Sequence, residues 1–190
     1  MSMLKSAAKL LFRVSRTFEA LAIAKDNKIF EETIKLDEFK VNMTYDNLEE
    51  RVYTDTLLVS CVDFRFRCEI DRLMRDVLHL SGDYDEIVLP GSSLSLVEKA
   101  YPYWGKTLEE VIGILQNIHQ IKRVIFLDHR DCSAYRLIKG AESVCTKELE
   151  TLAHAEVFRE VREIMKIRFP ELQIFTLLIG LDGVVENIKE

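Results

Sequence analysis

Two short stretches of this chain hold the residue types that could do chemistry, and each follows an apolar run of strand length. Residues 61–65 carry Cys61, Asp63 and Arg65; residues 129–132 carry His129 and Cys132. Two thiolates and one imidazole form a zinc-binding set that leaves the fourth tetrahedral position open, the pattern of catalytic rather than structural zinc. Zinc acidifies a bound water and yields a hydroxide nucleophile near neutral pH. Two thiolates also cancel the charge of the metal, so acidification should be weaker than with three histidines. A carboxylate that orients the hydroxide then becomes useful. Asp63 lies two residues from Cys61 on one extended segment and points to the same side. Arg65 continues that side and can grip the carboxylate in a two-pronged pair. Without the grip, Asp63 could swing onto the metal and fill the open position.

Plainer readings compete. An aspartate and an arginine two apart are most often a surface ion pair worth little. His129 could be an ordinary loop histidine, and Cys68 or Cys145 could close the set into a structural Cys3His site. Otherwise Cys68 and Cys145 read as spare thiols. Asp128, Arg130 and Asp131 flank the ligands, as partners that orient His129 or as solvated loop charges. His154 reads as a hydrogen-bonded or solvated helix residue, with proton transfer as the alternative use.

The elements that must position these residues are legible in the pattern. Residues 56–61, 86–90, 123–127 and 172–179 are continuous apolar runs without polar alternation, as expected for strands covered on both faces. Helical stretches separate them: one over 70–80, one opened by a capping box at Thr107 and Glu110, and one over 147–169 ended by Pro170. The second helix carries Leu108, Val111, Ile112, Leu115 and Ile118 as its apolar stripe. The third presents Leu149, Leu152, Ala153, Val157, Val161 and Ile164 to the core. Strands alternating with helices give an α/β fold with a mainly parallel sheet. Cys61 ends the first strand, and His129 with Cys132 lie just beyond the third. If those strands are neighbours, the ligands converge where open α/β sheets gather their ligands, at the carboxyl edge.

Composition narrows the classes. The 190 residues suffice for one domain plus an extension, and 48% hydrophobic with 31% charged residues is ordinary for a globular protein. A net charge of −6 provides no basic field, which argues against nucleic acid as a partner. No apolar stretch reaches the roughly 18–20 residues of a membrane span. Residues 1–50 read as an N-terminal helical arm and connector, and 51–190 as the zinc-binding α/β domain. Lys5, Lys9, Arg13 and Arg16 share one face of the arm's helix, over residues 4–24. Leu4, Ala7, Ala8 and Leu11 occupy much of the rest, and the amphipathic face of residues 4–16 is expected to pack on a partner subunit in a cytoplasmic protein; the alternative is a mitochondrial transit segment over residues 1–17.

The two motifs, in this order and each after a buried-type strand, resemble those of the β-class carbonic anhydrases. A divergent bacterial subgroup of that family is the nearest likeness, given residues 89–94, 128–135 and the segment from 169 to 183. The resemblance spans residues 55 to 185. It implies zinc on Cys61, His129 and Cys132, an Asp63–Arg65 catalytic dyad, and reversible hydration of CO2 to bicarbonate by zinc-bound hydroxide. It also implies a homodimer or larger homo-oligomer. Gly91 and Ser92 stand where the family has an Arg-Asn-Ala-Gly segment. A backbone approach at Gly91 and a hydroxyl at Ser92 are expected to serve the substrate. The chain departs from the family in having Asp128 before the histidine and Ser133 after the second cysteine, where glycines are typical, and in lacking a counterpart of a substrate-positioning glutamine. Hydrolysis of carbon disulfide or carbonyl sulfide on the same fold, and a non-catalytic zinc-binding assembly role, are the alternatives.

Overall fold

The computed structural model of the chain describes residues 48–188. The expected N-terminal arm, apart from Leu48–Glu50, and its basic face lie outside the described residues. Five strands form one sheet: β1 (Thr56–Ser60), β2 (Asp85–Val88), β3 (Arg123–His129), β4 (Gln173–Ile179) and β5 (Val185–Asn187). Their order is β2-β1-β3-β4-β5, with every pairing parallel except the last, where β5 runs back along β4. The apolar runs become strands because both faces are covered. Leu57, Val59, Val124 and Phe126 enter one core, while Leu58, Ile125, Leu127 and Ile179 enter the other.

The helices are α1 (Arg67–Arg72), α2 (Leu94–Val97), α3 (Pro102–Ile118), α4 (Ser133–Lys139) and α5 (Lys147–Arg168). From β1 the chain passes through α1 to β2 on one side, then through α2 and α3 to β3 on the other side of β1. The crevice between the ends of β1 and β3 is therefore the point where strand order reverses.

Three expectations about helices are corrected. The first helix starts at Arg67, three residues before residue 70, and finishes in a wider π turn over Leu73–Val77. The helix assigned to a cap at Thr107 begins earlier, at Pro102; proline suits a first helical position because the missing N–H has no partner to lose there. Thr107 is thus interior, and Ile118 at the far end of the stripe is exposed. Gly105 lets α3 lie close to α2, because a Cβ there would meet the Leu96 carbonyl oxygen at 2.6 Å. In α5 the Thr146 hydroxyl caps the first turn by accepting from the Leu149 N–H. The core face is rotated from the expected one: Leu149 and Leu152 are exposed, while Glu150, Ala153, His154, Val157, Phe158, Val161 and Met165 are buried. Polar Glu150 and His154 turn inward because buried partners, Arg130 and Asp128, await them.

Candidate metal centre

The pairing of β1 with β3, in which Ser60 lies opposite Leu127, brings Cys61 beside the segment that carries His129 and Cys132. His129 is the last residue of β3 itself rather than a loop residue beyond it. The backbone then turns through Asp131, at φ 56°, and Cys132 caps α4. A left-handed residue in this turn reverses the chain within three positions, and aspartate is one of the few non-glycine types that adopt it readily. The Sγ atoms of Cys61 and Cys132 are 3.9 Å apart. Taken with the His129 ring, the candidate ligand atoms lie within 4.8 Å of one another, and all three residues are buried.

Whether this set suits a metal is decided by the histidine. Its Nδ1 donates to the Arg130 carbonyl oxygen at 2.8 Å, which fixes the tautomer and leaves the Nε2 lone pair facing the thiols. Nε2 is buried and has no hydrogen-bond partner among the described residues. Buried polar atoms are rarely left that way, and a zinc ion shared with two sulfurs would satisfy it. The thiols agree. Cys61 is pushed down by Cys132, against its burial, with help from His129 and the Gly91 N–H, while Cys132 is pushed up by its neighbour Cys61 and by burial. Two neighbouring thiolates repel one another, and a divalent cation held by Cys61 and Cys132 would offset that repulsion.

Asp63 and Arg65 meet as a close pair. Arg65 Nε donates to both carboxylate oxygens at 3.0 Å, Nη2 to Oδ2 at 2.7 Å, and the Arg65 amide to Oδ1 at 3.0 Å. Arg65 does not continue the extended segment as expected. It sits in a 3-10 turn, Phe64–Phe66, that Asp63 caps, and this turn folds the guanidinium back onto the carboxylate. Asp63 Oδ2 stays 3.9 Å from His129 Nε2. Asp131 extends the clamp: its Oδ2 accepts from Arg65 Nη1 at 2.9 Å and its carbonyl from Nη2 at 3.0 Å, while Arg136 donates to its Oδ1 at 2.8 Å. Of the three flanking residues, only Arg130 hydrogen-bonds to the His129 ring, and it does so through its backbone carbonyl. The Arg130 guanidinium turns away to Glu150, Thr151 and Glu186.

The Arg65 guanidinium holds Asp63 down at about 2, against a modest cost of burial. A depressed aspartate contributes stability that is complete above its ordinary 3.8 and is lost as the pH falls through the folded value. Arg65→Gln removes the cause. The gap in urea midpoint between wild type and Arg65→Gln, with zinc chelated, should be widest near neutral pH and close as the pH drops from about 4 toward 2. A gap that stays constant over that window would show that the pair does not act on folding.

Gly91 and Ser92 are used behind the ligands. Gly91, at φ 77°, donates its N–H to Cys61 Sγ at 3.2 Å, and a Cβ there would press on Leu94 and Ala134 at 3.1 and 3.3 Å. The buried Ser92 hydroxyl donates to the Val59 carbonyl oxygen at 2.9 Å. Neither residue lines the cavity of about 610 Å³ that opens over the three ligands. Its other walls are Asp63, Arg65 and Asp131 on the polar side and Pro90, Leu137, Ile138 and the stacked pair Tyr101 and Trp104, 4.3 Å apart, on the apolar side. Cys68 and Cys145 are exposed and stand outside the ligand group.

Residues 53–189 match the family described as "Putative carbonic anhydrase". The chain belongs to that family. Two uncharacterized proteins, from Rickettsia conorii and Rickettsia bellii, are each 49% identical over 151 residues, covering 80% of this chain and 81% and 92% of theirs. Among solved structures, the β-carbonic anhydrase CafA of Aspergillus fumigatus aligns at a TM-score of 0.50 and 14% identity, over 94% of this chain and 90% of that one. At that identity the likeness concerns the fold, and the fold is that of the β-carbonic anhydrases. Among the described residues no helix is long and apolar enough to cross a membrane.

Proposed function

We propose that this carbonic anhydrase homologue catalyses the reversible hydration of carbon dioxide to bicarbonate with zinc held by Cys61, His129 and Cys132. The observation that carries the reading is the buried, unpartnered His129 Nε2 facing two thiols. Zinc bound there would supply Lewis acidity, drawing the pKa of a water at its remaining position toward ~7. The chain's own residues do the rest. Asp63 accepts a hydrogen bond from the attacking oxygen and aims it at the carbon. Arg65 engages both oxygens of Asp63 and so keeps that carboxylate from joining the ligands itself. Tyr101, Trp104 and Leu137 offer an apolar wall to carbon dioxide, and the partly exposed Arg65 at the rim, paired with Asp63 and Asp131, makes the rest of the lining charged.

That charged, open rim supports carbon dioxide over carbon disulfide and carbonyl sulfide, which a closed apolar tunnel would suit. Three gathered ligands, with Asp63 clamped apart from them, support a catalytic site over a purely structural one. The working protein is a homodimer or larger assembly, as the family resemblance implies, and Phe64 and Leu137 at the cavity, 84% and 77% exposed, are apolar surface that a second copy would cover. Thiolate ligands suit a reducing compartment such as the cytoplasm.

Stopped-flow hydration of carbon dioxide, on protein verified to hold one zinc per chain, tests the reading. Turnover should rise with pH across ~6.5 to ~9, a window around the pKa of ~7 expected for such a water, and should disappear when zinc is removed. Fully loaded protein with no turnover at any pH would sink it.

A further inference from the structure

Asp128 occupies the position immediately before a metal ligand, yet it makes no contact with the cavity. Its carboxylate is buried and accepts four hydrogen bonds. The Ser93 N–H donates to Oδ1 at 3.0 Å. The Ser93 hydroxyl, the Tyr135 hydroxyl and His154 Nδ1 donate to Oδ2 at 2.6, 2.7 and 2.9 Å. The His154 ring also lies 3.8 Å from the ring of Tyr135. Ser93 supplies two of these donors, and the three donor residues come from three different parts of the fold.

Those parts are the ones that hold the thiols. Ser93 belongs to the turn whose Gly91 N–H reaches Cys61 Sγ at 3.2 Å. Tyr135 stands in the first turn of α4, whose cap residue is Cys132. Asp128 itself is continuous with His129 on β3. The segments around all three ligands therefore converge on one carboxylate, and His154 closes it from α5.

We infer that Asp128 is a positioning residue for the metal centre: its carboxylate cross-links the Gly91–Leu94 turn and the start of α4, and so sets the spacing of Cys61, His129 and Cys132. The inference rests on the reading of those three residues as zinc ligands. Glycine at this position would supply no such link, so a chain carrying aspartate here holds its ligand loops by a different device. Outer hydrogen bonds of this kind, when removed, typically weaken metal binding by about 10–100-fold.

The test is zinc affinity of the full chain, measured by competition with a chromophoric chelator, together with the cobalt(II) absorption spectrum. Cobalt bands report ligand geometry, which a loss of global stability alone does not move. Asp128→Asn should weaken zinc about 10–100-fold and shift the cobalt bands. Ser93→Ala removes the hydroxyl bond from the turn while its N–H bond stays, Tyr135→Phe cuts the α4 arm, and each should weaken zinc by at least about threefold with the fold retained by circular dichroism. Met165→Ala, a buried change at the opposite end of α5, is the control: it should lower the melting temperature and leave zinc affinity and the cobalt spectrum unchanged. If Asp128→Asn does not fold, the two arm variants decide. The inference is overturned if folded Ser93→Ala and Tyr135→Phe bind zinc within twofold of wild type, or if Met165→Ala loses affinity alongside them. Wild-type protein that takes up no zinc would instead defeat the metal-site reading itself.

Discussion

Cys132→Ser is expected to remove zinc and turnover together while leaving the fold in place. The thiol is buried beside Cys61, with the two sulfurs 3.9 Å apart, and it caps α4 through its backbone rather than its side chain. A serine hydroxyl is shorter, harder and protonated at neutral pH, so it replaces the volume of the thiol but not its bond to zinc. Removing a ligand outright should cost more than the ~100-fold that loss of an outer hydrogen bond can cost. Metal analysis after dialysis against a weak chelator should find less than one zinc per chain. Circular dichroism should remain that of wild type. A variant that keeps one zinc at wild-type affinity would exclude Cys132 from the ligand set.

Asp63→Asn should give the opposite dissociation, full zinc with little turnover. The amide is nearly isosteric and retains one oxygen for the Arg65 amide, so the 3-10 turn that Asp63 caps should survive. It loses the negative charge, and one face becomes a donor where the attacking oxygen needs an acceptor. Groups aimed at developing charge inside a site are worth about 10²–10³ in kcat, and a loss of that size is expected here. Because Arg65 holds Asp63 ionised down to about 2, the pH dependence that remains near neutrality belongs to the attacking water and not to this carboxylate. Loss of zinc in step with turnover, or a drop in kcat of less than about threefold, would deny Asp63 its proposed part.

The strands and the candidate cluster of Cys61, His129 and Cys132 could be read from the sequence because both depend on local signals. Four uninterrupted apolar runs announced a sheet covered on both faces, and each motif followed one of them directly. The adjacency of β1 and β3 was a condition of the sequence reading and is a property of the fold. Helix phase was harder. In α5 the apolar count favoured Leu149 and Leu152, but the buried face includes Glu150 and His154, whose partners Arg130 and Asp128 come from a strand end about twenty positions away. No periodicity carries that information. The start of α3 at Pro102 was missed because the capping box at Thr107 was the stronger pattern. Asp128 and Asp131 were noticed for their place beside the ligands. Their tasks became visible only with the turn at Asp131 and the approach of Ser93, Tyr135 and Arg65.

With zinc held by the three residues proposed, the strand order also fixes when, in the life of each chain, the metal can be captured. Cys61 and Cys132 are 71 positions apart, and the chain lays down β2 and three helices before it returns to place β3 against β1. A nascent chain that has not yet delivered His129 and Cys132 owns one of the three ligands. Parallel pairing over such a distance is among the slower steps of folding. Zinc uptake must then follow closure of the central strand pair, so a metal-responsive dye added during refolding would time that closure. A copy that pairs its strands in the wrong order would be left without metal, and metal content would serve as a mark of correct assembly.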